Sequence, residues 1–445
     1  MSNIDYDLII QKTTSFIDEQ LLPIINDIGE PLEGNIFFYH LTKTYLPDFI
    51  DKQKNLILTA NQKNVNEILE IGFNSGFSAL LLLNSNPDIR ITCIDIGEHA
   101  YTIPCYNKMK EFYADRVNLL IGSSVNTVSK LTKLYDLIHI DGSHFEDIAR
   151  EDIINSYYIA KPNAILIMNN YDTPILNDLW NNFSKKFNFN NLDFCIFENK
   201  FQSIKQLNKY NYINQNFEEI LLPKTSIPKI IHQIAPADKS KWHPVWEECQ
   251  KTILLQFPQP EYEYRLWNDE EDLENFIKTE FPFFLEIFKG YPRKIQRIDT
   301  ARYFILLKYG GIYSDMDFYF YKNFYDTLDA SKANITCSPW EELEFIQNSL
   351  MASPKNCYAF LNIIDEAIRM SKSEDYCKKS SVYVAVTTGP NLISYVYYRI
   401  ESFINPLNAK LYNPIGSKEY DNEELYNEDT CYCKHFGTGW WVNFA

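Results

Sequence analysis

The chain has 445 residues, which is too long for one ordinary hydrophobic core, so we expect two or three domains. Hydrophobic residues make up 45% and charged residues 23% of the sequence, which is the balance of a folded globular protein. The formal net charge of −17 argues against broad binding to nucleic acid or to an anionic membrane surface, because both partners require a basic face.

The nine cysteines occur without a regular spacing. A single residue separates Cys431 from Cys433, whereas zinc sites usually have two to four intervening residues, so we interpret the cysteines as free thiols. The N-terminal segment is acidic, and no stretch approaches the ~20 apolar residues that span a bilayer. We therefore expect a soluble, cytoplasmic protein without a signal peptide or a membrane span.

Residues 1–50 are predicted as a helical lead-in, and residues 51–200 as an α/β domain. Short apolar runs alternate there with stretches of helical length, which predicts βαβ units and a largely parallel sheet. The predicted strands are Ile68–Ile71, Ile91–Ile94, Val117–Ile121, Leu137–Ile140, Ala164–Met168 and Phe194–Phe197.

Residues 201–226 are rich in Lys, Asn and Gln and are predicted as a linker. A second α/β domain is predicted over residues 227–445. Its first elements are a strand at Lys229–Ile234, a helix at Arg293–Tyr309 that ends at Gly310-Gly311, and a short strand at Ile312–Ser314.

Residues 66–78 predict a strand, a glycine-containing turn and a helix. Gly72 and Gly76 would allow the backbone to approach a ligand closely. The absence of a full GxGxxG pattern argues against a dinucleotide site. Asp95 ends the next predicted strand after Glu70, where a carboxylate suits a pair of ribose hydroxyls.

Two further polar clusters follow predicted strands, Gly122-Ser123-Ser124 and Asp141-Gly142-Ser143-His144. Open α/β sheets bind ligands at the carboxyl ends of their strands, so we expect these clusters to share one site. His144 is a candidate general base, because an imidazole pKa near ~6.5 suits deprotonation of a hydroxyl. The alternative is a histidine that bonds the backbone at a helix start.

The motifs E-I-G-x-x-x-G-x-S from Glu70 and I-D-G-x-H from Ile140 resemble class I S-adenosylmethionine-dependent methyltransferases, over roughly residues 50–200. The resemblance implies a Rossmann-like sheet, and Asp141 and His144 are our candidate catalytic residues on it. It also implies which residues line the cofactor site. Glu70, Gly72 and Gly76 would line its methionine end, Asp95 would hold its ribose, and Ser124 would line the rest of the site.

Related catechol-type methyltransferases bind a divalent metal at positions that correspond to Asp141, Asn169 and Asn170. Divalent oxygen sites depend on the charge of their ligands, so the two neutral amides argue against a metal here. A Rossmann-like scaffold without catalysis is therefore kept as an alternative.

The segment from Arg297 to Asp317 carries the strongest functional motif of the sequence. Asp299 and Arg302 lie three residues apart on one predicted helix and hence share a face. The strand after the glycine pair delivers Asp315 and Asp317, whose alternation places both carboxylates on one side. Two carboxylates suit Mn²⁺ or Mg²⁺, which would bind a diphosphate beside the fixed charge of Arg302.

This pattern resembles the DXD-containing sugar transferases of glycosyltransferase family 32, from about residue 227 to the end. Further ordered pieces that resemble the family are Ile227–Ile234, Asn348–Pro354, Thr388-Gly389-Pro390 and His435–Trp441. The resemblance implies a GT-A fold, a nucleotide-diphosphate sugar donor, Mn²⁺ or Mg²⁺, and retention at the anomeric carbon.

Carried over to this chain, the resemblance implies that Asp317 binds the metal directly and that Asp315 contacts the ribose or a metal-bound water. His435 would approach the metal or the diphosphate, with a surface histidine as the alternative. The donor sugar would be held by Asp299 and Arg302.

Trp440 would donate its indole N–H to the β-phosphate, with ordinary core packing as the alternative. Relatives commonly place a tryptophan where this chain has Ala235, so an aromatic that could stack on the nucleotide base is missing and the base is left open.

Together, the two resemblances predict a bifunctional glycan-modifying enzyme. Its second domain would transfer a sugar to a hydroxyl of a glycan or glycoprotein, and its first would O-methylate a sugar hydroxyl with S-adenosylmethionine. A second hypothesis makes the first domain a non-catalytic module that binds the acceptor or a partner. A third is a lectin-like protein without chemistry.

Overall fold

The computed structural model describes residues 4–210, 225–338, 345–373, 381–414 and 426–438. The chain divides into two compact units, Met1–Asn211 and Tyr212–Ala445. Each unit contains a six-stranded sheet with helices. The predicted α/β class is confirmed for both.

The sheet of the first unit has the strand order β3-β2-β1-β4-β5-β6. Its first five strands are parallel, and β6 runs antiparallel to β5. The strand order reverses between β1 and β4, which opens a crevice at their carboxyl ends. The strands are β1 Glu67–Ile71, β2 Arg90–Asp95, β3 Val117–Ile121, β4 Tyr135–Ile140, β5 Ala160–Met168 and β6 Ser203–Gln206.

Helices cover this sheet, and the first fifty residues contribute Ile17, Leu21 and Ile25 to its core. The α-helices are Tyr6–Phe16, Leu22–Ile28, Ile50–Ala60, Phe77–Ser85, Thr102–Tyr113, Ser124–Thr127, Glu146–Ile159 and Pro174–Lys186.

The sixth strand differs from the prediction. Phe194–Phe197 forms no strand, because the side chain of Asn55 bonds both the N–H and the carbonyl of Phe197 at 2.9 Å and takes the place of ladder hydrogen bonds. The sheet instead ends with β6, which lies inside the segment predicted as a linker.

The main sheet of the second unit has the order β13-β11-β12-β9-β7-β8 and is mixed. β7 pairs in parallel with β8 and β9, whereas β12 is antiparallel to β9 and β11. β10 and β14 form a separate antiparallel pair. The strands are β7 Ile230–Ala235, β8 Glu263–Asn268, β9 Gly311–Ser314, β10 Phe318–Phe320, β11 Ala333–Cys337, β12 Ile346–Ser353, β13 Ile404–Leu407 and β14 Cys433–His435.

Helix Lys294–Tyr309 runs through the interior of this unit, and most of its residues are buried. The other α-helices are Trp246–Gln256, Glu271–Glu280, Leu285–Gly290, Tyr358–Ser371, Ser381–Thr387, Pro390–Tyr397 and Ala409–Tyr412. Within the described part of the chain, none of the helices has the length and hydropathy that a membrane crossing requires.

Candidate active sites

Two glycines join helix Lys294–Tyr309 to β9. Gly310 and Gly311 have φ angles of 65° and 94°, a region that side chains with a Cβ rarely adopt. A Cβ on Gly311 would lie 2.4 Å from the carbonyl oxygen of Ile230. Only glycine therefore allows β9 to pass directly beside β7 and to deliver Asp315 at its carboxyl end.

Three potential metal ligands meet after β9. Asp315, Asp317 and His435 each offer one ligand atom, and these atoms lie within 4.8 Å of one another. His435 arrives on β14, which pairs with β10 through Phe318. Carboxylate oxygens and an imidazole nitrogen suit Mn²⁺ well, so the residues present fit the expected divalent cation.

The C-terminal segment holds Asp317. Nε2 of His435 lies 3.2 Å from Oδ1, and the N–H and hydroxyl of Thr438 donate to Oδ2 at 2.8 and 3.0 Å. Burial alone would raise the pKa of Asp317, but the charge and hydrogen bond of His435, with the Thr438 donors, bring it well below its usual range. Burial lowers the pKa of His435, but the charge and hydrogen bond of Asp317, together with the charge of Asp315, more than offset this effect, so the net shift is upward.

Arg302 supplies a fixed charge beside Asp315. Its Nη2 lies 3.2 Å from Oδ1 of Asp315, and its Nη1 donates to the carbonyl of Asn348 at 2.9 Å. The guanidinium carbon lies 5.0 Å from the ring centroid of Tyr313, whose hydroxyl donates to Oδ1 of Asp315 at 2.7 Å. These contacts fix the orientation of both charged groups.

Asp299 lies one helical turn before Arg302 and is 4% exposed. Its carboxylate accepts hydrogen bonds from Nδ2 of Asn348 at 3.0 Å and from the hydroxyl of Thr388 at 3.1 Å. Burial raises its pKa to about 6, against the lowering effect of Arg302. The segments around Asn348 and Thr388, which the resemblance singled out, therefore converge on Asp299.

The acids, Arg302 and His435 line one cavity of about 420 Å³. Sequence reasoning missed several other members of its wall, among them Trp246 and Asp269. Trp246 packs in one buried cluster with Ala235. An aromatic ring therefore lies beside Ala235, the position at which relatives commonly have a tryptophan. Trp246 opens an amphipathic helix, and that pattern does not distinguish a cavity wall from core. The predicted Trp440 lies outside the described residues.

In the first unit, the two glycines of the turn after β1 are closely surrounded by other residues of the unit. A Cβ on Gly72 would lie 2.1 Å from the carbonyl oxygen of Asp141, and one on Gly76 would lie 2.4 Å from the ring of Phe73. Both glycines are thus required by packing within the unit, and the ligand approach that we expected beside them stays a prediction.

Glu70 lies on β1, and its side chain is fully buried inside the sheet. Oε1 lies 3.0 Å from Nδ1 of His139, and Sγ of Cys93 donates to Oε2 at 3.6 Å. Both partners face Glu70 in register, on β4 and β2. The carboxylate therefore links three strands, and its place at the methionine end of the cofactor stays a prediction.

Asp95 lies at the carboxyl edge as predicted, and its Oδ2 accepts the N–H groups of Phe73 and Asn74 at 2.9 and 2.7 Å. Ser124 begins a short helix near Asp152, a buried acid that sequence reasoning missed and whose two carboxylate oxygens have no hydrogen-bond partner among the described residues. Burial raises the pKa of Asp152 to about 6.

Asp141 and His144 follow β4 at the same edge. His144 is exposed and contacts the side-chain amide of Asn170, which follows β5. Oγ of Ser75 and Oδ1 of Asn169 are buried there without a hydrogen-bond partner among the described residues. Buried polar atoms usually have partners, so these atoms fit a polar ligand such as the expected cofactor at this edge.

Comparison with known families finds one match within each unit. Residues 69–171 match the family described as a methyltransferase domain, and residues 244–334 match the glycosyltransferase sugar-binding region containing the DXD motif.

The chain is 31% identical over 243 residues to the mannosyl phosphorylinositol ceramide synthase CSH1 of Saccharomyces cerevisiae, which covers 53% of this chain and 60% of that protein. It is 47% identical over 94 residues to inositol phosphoceramide mannosyltransferase 3 of Schizosaccharomyces pombe, which covers 21% and 24% of the two chains. The chain thus spans less than two thirds of the length of either relative.

Among solved structures, the Podospora anserina methyltransferase PaMTH1 matches with 20% identity and a TM-score of 0.30, over 36% of this chain and 82% of its own. The family matches agree with the motifs of both units. One stretch of this chain thus matches a methyltransferase domain, and a second matches a DXD-containing glycosyltransferase region.

Proposed function

We propose that the second unit is a metal-dependent retaining glycosyltransferase that moves a hexosyl group, mannosyl by similarity to the named relatives, from a nucleotide-diphosphate sugar to a hydroxyl. The convergence of Asp315, Asp317 and His435 beside Arg302 in one cavity carries the proposal. The acceptor class is a glycan or glycoprotein hydroxyl, and the names of the relatives add inositol phosphate headgroups to the acceptors worth testing.

A bound divalent cation would neutralise charge on the leaving diphosphate. Asp315, Asp317 and His435 would hold that cation. Arg302, already oriented by its neighbours, adds preorganised positive charge where the diphosphate charge develops. Asp299 has free acceptor capacity toward hydroxyls of the donor sugar. The bond from the anomeric carbon to the diphosphate oxygen breaks, the acceptor oxygen bonds that carbon on the same face, and the acceptor proton leaves with the diphosphate.

We propose further that the first unit O-methylates a hydroxyl. S-adenosylmethionine, when bound, supplies an electrophilic methyl group. His144 would accept the hydroxyl proton as the acceptor oxygen takes the methyl group, and S-adenosylhomocysteine would be the leaving product. The unpartnered polar atoms of Ser75 and Asn169 and the family match support this assignment.

A non-catalytic binding module is the second candidate for the first unit. Two observations favour it, since Glu70 is engaged inside the sheet and the space beside Gly72 is filled by Asp141. Calorimetry with S-adenosylmethionine separates the candidates, because a non-catalytic module is expected to show no cofactor binding.

The glycosyltransferase proposal is tested with a panel of nucleotide sugars and Mn²⁺, by following donor hydrolysis and transfer. The Asp317→Asn variant is expected to lose both activities, whereas Asp326→Asn, which changes an exposed acid of the same unit, keeps them. Equal donor turnover by wild type and Asp317→Asn would refute the assigned role of this carboxylate.

A further inference from the structure

The first unit contains a buried lysine that the chemistry above does not use. Lys52, on helix Ile50–Ala60, is 2% exposed and makes no hydrogen bond or ion pair within the described ranges. Its Nζ lies 4.5 Å from the ring centroid of Phe49 and 5.7 Å from that of Phe201. Two aromatic faces offset only part of the lost hydration of an ammonium group, so this charge lacks a full set of partners.

The neighbours of Lys52 place it at the carboxyl edge of the sheet. The carbonyl of Phe201 accepts the N–H of Tyr171 at 3.0 Å, which ties the aromatic pair to the turn after β5. The nearby charges that act on Lys52 are those of Asp141, after β4, and Asp172, in the same turn as Tyr171. Lys52 therefore lies beside both turns that would border a methyl acceptor.

Burial lowers the pKa of Lys52, and the carboxylates of Asp141 and Asp172 oppose that effect from beyond ion-pair distance. They stabilise the ammonium form without satisfying its hydrogen-bond donors. An oxygen atom with negative charge would do both.

The same edge offers little to a divalent metal. The residues after β5 are the neutral amides Asn169 and Asn170. Across the described residues, the one cluster of three potential metal-binding side chains lies in the second unit. Lys52 thus provides positive charge at an edge whose described side chains do not form such a cluster.

We propose that Nζ of Lys52 is the cationic contact for the methyl acceptor, and that it binds the reacting hydroxyl oxygen as an oxyanion. The ligand class is a small molecule with a hydroxyl group that ionises on binding. This inference rests on the proposed methyl transfer, in which His144 takes the hydroxyl proton.

The test uses the full chain with S-adenosylhomocysteine and 4-nitrocatechol, whose absorption reports its ionisation. Wild type is expected to bind the probe as the phenolate. The pKa of the bound probe should then lie about 1 below that of the free probe, so that half of the probe is ionised at an about tenfold higher proton concentration. Lys52→Met is expected to abolish this spectral shift and Lys52→Arg to retain it. Lys54→Met, on the same helix but less buried, is the control.

An unchanged shift in Lys52→Met, or no shift in wild type, would overturn the inference. Calorimetry with S-adenosylhomocysteine should give equal affinity for wild type and both methionine variants, since Lys52 is assigned to the acceptor alone. If Lys52→Met does not fold, Lys52→Gln takes its place under the same criteria. A wild-type shift without methyl transfer from labelled S-adenosylmethionine would sustain the role of Lys52 and contradict the proposed methylation.

Discussion

Nε2 of His435 lies 3.2 Å from Oδ1 of Asp317, and the pairing of β14 with β10 brings the two residues together. The imidazole stacks on Phe318 with 4.2 Å between ring centroids, and its Nδ1 lies 2.9 Å from Oδ1 of Asn413. Both contacts orient Nε2 toward the acid. The C-terminal segment therefore completes a site whose other members come from the DXD turn.

Replacing His435 by phenylalanine keeps the stacking on Phe318 but removes a ligand atom. We expect the Mn²⁺ concentration for half-maximal donor turnover to rise by about tenfold or more, which corresponds to about 1.4 kcal/mol of lost binding. Turnover at rising Mn²⁺ concentrations measures the effect. His243→Ala, at an exposed histidine of the same unit, is the control, and an unchanged Mn²⁺ dependence of His435→Phe would remove this residue from the site.

Arg302→Lys keeps a positive charge but loses the planar group that contacts both Asp315 and the carbonyl of Asn348. We expect kcat to fall by about 10²–10³-fold, as for loss of one preorganised electrostatic group. Steady-state kinetics at saturating Mn²⁺ checks this, with Arg265→Lys on β8 as the matched variant. A kcat within twofold of wild type would show that charge alone is sufficient.

Gly311→Ala places a Cβ 2.4 Å from the carbonyl of Ile230 at a φ of 94°. The strand must shift, so we expect a loss of several kcal/mol of stability, on the order of the larger effects of single mutations, together with loss of donor turnover. Thermal unfolding and activity are the measurements. A Cβ on Gly290 would meet nothing within 4 Å, so Gly290→Ala should change neither stability nor donor turnover. A Gly311→Ala variant as stable and as active as Gly290→Ala would contradict the required close approach of β9 to β7.

Asp152 predicts a pH dependence of stability in the first unit. The pKa of an aspartate side chain rises from 3.8 when it is solvated to about 6 at this buried position, so the folded state binds the proton more tightly. The free energy of unfolding should therefore fall as the pH rises from 3.8 to about 6 and remain lower above that range. The change is on the order of 2–3 kcal/mol.

Asp152→Asn should remove that pH dependence and stabilise the unit at neutral pH. Hydrogen exchange of peptides from helix Glu146–Ile159, followed across this pH range, isolates the effect from the second unit. The exposed Asp178→Asn variant should behave as wild type. Equal pH profiles for Asp152→Asn and wild type would show that the carboxylate is not the origin.

The elements that carry local signals were predictable. The helix with Asp299 and Arg302, the glycine pair and the DXD turn are contiguous, so the spacing alone orders them along the cavity wall. The parallel strands of the first unit were equally plain, because strands buried on both faces are continuous apolar runs.

The remainder depends on contacts between distant segments. The local sequence does not reveal that the Glu70 side chain is buried inside the sheet, since its environment is set by His139 and Cys93 on neighbouring strands. Phe194–Phe197 has the composition of a strand but is held by Asn55. The sequence did not predict that Lys52 is buried, because a lysine on an amphipathic helix is usually solvated.

The most direct measurement is anomalous diffraction at the manganese edge from crystals grown with Mn²⁺ and a nucleoside diphosphate. We expect one strong peak in the cavity of the second unit, bonded to Asp317 and His435, with Asp315 in contact with the ion or its water. A cavity without a peak, with these side chains directed away from the diphosphate, would contradict the proposed metal site.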